Sequence, residues 1–268
     1  SRWRVIQENS YAALSSASNL WWSKCSRFIP STARTEHLVW VLDTVDIQGR
    51  GPSGGTISFE DMTTLETNFT NEFANAGLKL LKSQLLDTDQ NGINLGAAWM
   101  QGAAQKAVYW PQRQISTLLR YGATSTYGLA YDGKTFFASD HPVNPKDTRK
   151  GTYSNIITSA GVYGAATNEV ALQNLQKVSG AIRSLKMADG ITPRFLQPKA
   201  ILCSSVAYPY FAQITNAKFL ALSAGSSGTS GGSGDIDGHL QSLGFGDVIE
   251  CPELNGFESD TTYFVLAQ

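Results

Sequence analysis

Residues 36–86 constrain this chain more than any other stretch, because they are β-forming yet have nothing of their own to pack against. Between His37 and Ile47, the side chains Val39, Val41, Val45 and Ile47 share one parity, the period-two pattern of a strand. Gly49-Arg50-Gly51-Pro52-Ser53-Gly54-Gly55 is a turn-rich tip, and Thr56-Ile57-Ser58-Phe59 starts the return. A second β-like run, Leu78 to Leu86, follows an amphiphilic patch containing Phe69 and Phe73. The whole reads as a long, projecting two-stranded excursion. Such a ribbon is marginal in water by itself, so this one is expected to lie on another chain.

Composition points the same way. A chain of 268 residues suits one large domain or two moderate ones and can bury a sizeable core. Only 16% of its residues are charged, against a typical ~25%. A surface this poor in charge is either solvated by small polar residues or covered by other subunits. The net charge of −1 gives no general reason to expect nucleic-acid binding, but the charges are unevenly placed. Residues 1–35 hold five basic side chains against Glu8, 5 − 1 = +4, and residues 36–90 hold three against nine acids, 3 − 9 = −6. Between Asp89 and Asp132 there is no acid, only Lys106, Arg113 and Arg120. Two readings fit: a solvated basic face, or complementarity towards neighbouring subunits or a packaged polyanion.

Three cysteines, Cys25, Cys203 and Cys251, are odd in number and far apart, which fits reduced structural thiols. No apolar run reaches ~18 residues, so no membrane span is expected. The first residue is Ser rather than Met; it is read as marking an upstream start or a removed propeptide.

Candidate chemistry is sparse. Asp87-Thr88-Asp89-Gln90-Asn91-Gly92 opens like a calcium loop, but the bidentate Glu such a loop needs is replaced by Ala98. A turn capping the following helix is the better reading. Gly51-Pro52-Ser53-Gly54-Gly55 and Gly228-Thr229-Ser230-Gly231-Gly232 fit a G-x-S-x-G pattern, yet neither sits on a strand-to-helix turn that would hold a nucleophile. His37, His141 and His239 form no metal-ligand cluster. Asp140 and His141, with Asp132, remain as a metal or general-base group. Against that stands a structural turn in which Asp140 bonds backbone amides and Pro142 ends a strand. No phosphate or dinucleotide loop is present, and no cofactor is expected.

Residues 1–35 read as an extended arm with a short helix, in which Trp21 and Trp22 have no core of their own. Residues 92–121 carry Ile93, Ala97, Met100, Ala104, Ala107 and Val108 at helical spacing, continued by Ile115, Leu118 and Leu119. Pro111 is expected to kink or split that helix, and Gly122 to cap it. Thr167 caps a further helix with Val170, Leu175, Val178, Ile182 and Leu185 as its apolar positions, stopped by Gly190. Pro198 precedes a buried strand over 200–203, and Ser205 starts a helix through Ile214 with Pro209 in its first turn. Residues 224–234 are a flexible Gly/Ser/Thr tract. The last strands are 247–250 and 262–266.

With these parts in order, Asp132-Gly133-Lys134-Thr135-Phe136-Phe137 and then Asp140-His141-Pro142-Val143, following a long helix, resemble the corresponding run of Mu-like phage head subunits. Those are major capsid proteins of the Hong Kong-97 type. The succession Ala181-Ile182-Arg183-Ser184-Leu185 to Gly190, then Pro198-Lys199-Ala200-Ile201-Leu202 and the helix at 206–216, is similar to that family's axial domain. The likeness covers most of the chain, its sharp motifs about fifty residues. It implies an α+β fold with an N-terminal arm (1–35), an extended E loop (36–86), a peripheral domain (87–155) with a spine helix at 92–121, and an axial domain (156–268). The short stretch between Pro145 and Thr167 departs from the family's pattern, which places further peripheral strands nearby. It implies either a minimal variant or a chain continuing past Gln268.

The expected function is therefore structural, with no catalysis: self-assembly into an icosahedral head, in the virion after assembly in the host cytoplasm, enclosing double-stranded DNA held without sequence preference. Partners are other copies in hexameric and pentameric capsomers, together with decoration, portal and scaffold proteins. Candidate inter-subunit contacts are Trp21, Trp22, Arg50 and Pro52; candidate DNA-facing residues are Lys106, Arg113 and Arg120. The alternatives are an encapsulin-like nanocompartment shell and a soluble α/β hydrolase using Asp140, His141 and a loop serine. The 131–145 run is expected to be a stiff hairpin with its residues buried or paired.

Overall fold

The excursion does form a two-stranded sheet; the start of the return expected at Thr56–Phe59, and residues 80–86 of the second run, lie outside the described residues. A computed structural model describes residues 20–27, 29–42, 64–71, 75–79, 95–127, 129–216 and 243–268. After a short helix α1 (Trp22–Cys25), β1 (Thr35–Val41) pairs with β2 (Thr64–Thr70). Leu78 and Lys79 take no strand conformation, and the tip with Arg50 and Pro52 lies outside the described residues. β2 was not legible from periodicity, for a simple reason. Leu65 and Phe69 are four apart, a spacing that suits a helix face and one face of a strand equally; the β-branched Thr64, Thr67 and Thr70 favour the strand. At its base, the Asn71 N–H donates to Arg34 O (2.8 Å), and Asn71 Nδ2 donates to Ser31 Oγ and Ala33 O.

Helix α2 (Leu95–Tyr121) runs through 27 residues with Pro111 inside it, so the expected split does not occur. Proline removes the donor that Ala107 O would otherwise accept from; Ala107 is exposed, and water can take that place. The buried row is Val108, Gln112 and Ser116, spaced four apart, with two of the three polar. Ser116 Oγ satisfies itself on Arg113 O at 2.9 Å. Gly122 follows the last helical residue as expected, its N–H donating to Leu118 O at 2.7 Å. A Cβ there would stand 2.5 Å from that carbonyl and 3.1 Å from Phe137, so only glycine lets the next segment fold back so closely.

The chain divides into two compact units, residues 1–36 with 70–117, and 37–69 with 118–268. The second holds a core built on one sheet. Strand β3 (His141–Pro142) pairs antiparallel with β4 (Thr152–Tyr153). Helix α3 (Asn168–Arg183) starts at Thr167, whose hydroxyl accepts from the Val170 N–H. Strand β5 (Pro198–Cys203) is followed by α4 (Tyr208–Asn216), then β6 (Asp247–Glu250) and β7 (Phe264–Ala267). β5 is central, parallel to β6 and antiparallel to β7. Pro198 begins β5 instead of merely preceding it.

Ala171 and Leu175 from α3, Ile201 and Cys203 from β5, and Phe211 and Ile214 from α4 form one buried cluster. Val170, expected in the helix stripe, is 39% exposed. Five residues separate it from Leu175, a rotation of about 140° beyond one full turn, which takes it off the buried face. Gly190 does not stop α3, which ends at Arg183; it sits in the following turn with φ 77°. Cys203 and Cys251 are buried free thiols, and burial pushes Cys203 up to about 12.

Candidate assembly surface

The Asp-His group is where the structure decides most sharply between chemistry and architecture. Ala130 N–H to Lys134 O (2.7 Å) and Gly133 N–H to Ala130 O (2.9 Å) close a tight turn, with Gly133 at φ 78°. That turn puts Asp132 against β3. Its Oδ2 accepts from His141 Nδ1 at 2.6 Å, with side-chain exposures of only 1% and 4%, and its Oδ1 accepts the Lys134 N–H at 3.1 Å. The imidazole stacks on Tyr153 at 5.3 Å between centroids. Burial, then the neighbouring Tyr131, raise the Tyr153 hydroxyl above its ordinary value. Asp140 takes no part in this. It faces solvent in an ion pair with Lys134, and the lysine, helped by Asp140's own backbone amide, holds its carboxyl below the usual range.

A pair sealed this way has no route for substrate, so its work is to pin the turn to β3. The stiff hairpin is in fact 141–153, with the 130–140 segment folded beside it. Among the described residues, no three His, Cys, Asp or Glu side chains gather as a metal site. The calcium-like turn and both G-x-S-x-G loops lie outside the described residues. Asp132→Ala would leave both imidazole nitrogens without a partner, since Nε2 already has none. The expected loss is about 2–3 kcal/mol in a denaturant titration. Asp140→Ala, at the water-exposed pair, should barely move the midpoint.

Among the described residues, the ribbon carries several large apolar side chains that the fold leaves uncovered. Val39 (57%), Trp40 (52%), Val41 (60%) and Phe69 (52%) are all exposed. Trp40 approaches Tyr131, 6.3 Å between centroids, so the far end of β1 and the 130–134 turn share one apolar surface, extended by exposed Leu129. An apolar patch of this kind on a soluble chain marks an interaction site.

The residues singled out from sequence fare differently. Trp21 is 1% exposed within its own chain. Trp22 is only partly covered. Lys106 and Arg113 stand exposed on α2. Arg120 makes contacts within its own chain. Its Nε and Nη2 donate to the Glu253 carbonyl and Nη2 also to Asn255 O (3.0 Å), with the guanidinium over Phe257. It clamps the 252–257 segment. Sequence reasoning missed the exposed Trp40 and Phe69, although the unsupported ribbon was the signal that pointed to them.

A sequence profile of the Mu-like prophage major head subunit gpT family matches residues 4–167. This chain belongs to that family. It is a structural capsid protein, located in the virion, and not an enzyme; the hydrolase and nanocompartment alternatives gain no support. No curated protein matches it. Among solved structures, the bacteriophage JBD30 capsid is similar at 18% identity, over 89% of this chain and 94% of that one, with a TM-score of 0.61. The JBD30 capsid decorated with minor capsid protein trimers gives 17% identity, 85% and 88% coverage and 0.58. The JBD30 procapsid gives 17%, 87% and 94%, and 0.53. At these identities the likeness is one of fold: a mixed helix-and-sheet head subunit. Among the described residues, no helix is long and apolar enough to cross a membrane.

Proposed function

We propose that this head subunit assembles, in the host cytoplasm, into an icosahedral shell of the Hong Kong-97 type, as hexameric and pentameric capsomers around double-stranded DNA. In this reading residues 1–35 are the arm, 36–86 the E loop, 87–155 the peripheral domain with α2 as its spine, and 156–268 the axial domain. The single observation that carries it is the exposed ribbon. Val39, Trp40, Val41 and Phe69 sit in water only in the isolated chain, and a neighbour lying under the ribbon removes them from it. Arg50 and Pro52, at the tip of the same excursion, and Trp22 in the arm are its further contacts. Lys106 and Arg113 supply weak, salt-sensitive attraction to packaged DNA. A decoration protein, as on the JBD30 capsid, and portal and scaffold proteins complete the partner set.

Electron microscopy of the purified chain tests this directly. Shells tens of nanometres across are the expected result; a chain that stays monomeric at every concentration and salt overturns it. In shells loaded with DNA, Lys106→Glu with Arg113→Glu should lower the salt needed to release the DNA without changing particle size.

A further inference from the structure

The sheet of the second unit has two chemically different ends. Because β6 is parallel to β5 and β7 antiparallel, the starts of β5 and β6 and the end of β7 lie together, and their opposite termini lie together. The length of β5 separates the two ends by roughly 17–20 Å.

The first end is basic and carries uncovered apolar side chains. Residues 183–199 hold Arg183, Lys186, Arg194 and Lys199 against Asp189, 4 − 1 = +3, which Asp247 reduces to +2. A loop closed by the Lys186–Pro193 bridge and by Arg194 N–H to Leu185 O (2.8 Å) presents Ile191 at 79% and Phe195 at 76% exposure. Phe195 has φ 55°, a left-handed conformation that costs free energy for a bulky side chain. Beside it is an open cleft of about 420 Å³, bordered by Lys199, Gly244, Asp247 and Gln268.

The far end is acidic. Residues 250–262 hold Glu250, Glu253, Glu258 and Asp260 and no basic side chain, 0 − 4 = −4. Glu258, Ser259 and Asp260 all have positive φ, at 44°, 56° and 62°. Asp260 Oδ1 accepts the Gly256 N–H at 3.0 Å, which helps hold that turn. The nearby Arg120 donates through Nε and Nη2 to the backbone carbonyls of Glu253 and Asn255. Exposed Val206, just past the end of β5, gives this acidic end an apolar floor.

We propose that the Ile191–Phe195 end of one copy docks on the 250–262 end of the next. The two surfaces complement each other in charge, yet they sit at opposite ends of one sheet and cannot meet within a molecule. A second copy supplies the complement, in a head-to-tail contact that closes into a ring. This rests on the shell reading above and adds which surfaces touch.

Charge reversal with mixing tests it. Arg194→Glu with Lys199→Glu, and separately Glu253→Lys with Glu258→Lys, should each lower shell yield by roughly tenfold or more, because like charges then face each other. A 1:1 mixture should recover six-membered capsomers, where the two variants can alternate so that each altered end meets the other's opposite charge, a rescue that misfolded chains cannot give. If both variants assemble as well as the wild type, or the mixture fails to recover, the contact is wrong while the shell reading stands. If the wild-type chain itself forms no shell in the same run, both fall.

Discussion

Val39→Asp combined with Val41→Asp should leave the monomer folded and abolish shell formation. Both side chains are more than half exposed in the isolated chain, so their replacement removes no packing and the thermal midpoint should hold. In the assembled state, each valine buried against a neighbour contributes on the order of 1.5–3 kcal/mol, and a carboxylate there adds a desolvation penalty. A loss of about 3–5 kcal/mol per contact weakens each association by roughly 100- to 4,000-fold. Sedimentation velocity gives the readout: wild-type material in a fast-sedimenting shell, the double variant as slow species. Shells from the variant at wild-type yield would mean that the ribbon is not an interface.

Phe211→Ala acts at the other extreme, on the fold of the single chain. Phe211 is 1% exposed, packs 5.1 Å from the Tyr263 ring, and sits among Leu175, Ile201 and Ile214 at the centre of the core. Truncation leaves a cavity that the surrounding helices and strand fill only in part. The expected cost is about 3–5 kcal/mol, which lowers the midpoint by roughly 6–20 °C for a unit of this size. Val170→Ala on α3 is the informative control. Periodicity alone places it in the core; its exposure of 39% predicts a change within about 0.5 kcal/mol. Scanning calorimetry separates the two cases, and equal losses for both would mean that the helix is rotated from the position described.

Both results draw on places where sequence was a partial guide. α3, β5, α4 and β6 were legible because a capping Thr167, a Pro-led apolar run and a first-turn Pro209 are local signals, set by the residues that form each element. β2 was not, because the i, i+4 spacing of Leu65 and Phe69 belongs to two periodicities at once and only pairing with β1 chooses between them. Pro111 was over-read. A proline forbids one hydrogen bond, but a helix of 27 residues has enough remaining bonds to carry on past it. The contacts of Arg120 were not legible because its carbonyl partners lie more than 130 residues away, out of reach of any local pattern.

The sequence by itself determined the class of molecule. Low charge and a ribbon with no core point, by composition and local pattern, to a chain completed by copies of itself, and the Asp132–Val143 run adds a resemblance to Mu-like head subunits. Only the tertiary structure decided what the acidic and basic side chains do. It buried Asp132 against His141, left Asp140 to Lys134, turned Arg120 onto backbone carbonyls and sank Trp21 while baring Trp40. The role of a charge or a ring depends on what the fold brings within a few ångströms of it, and that distance is not written in the order of the residues.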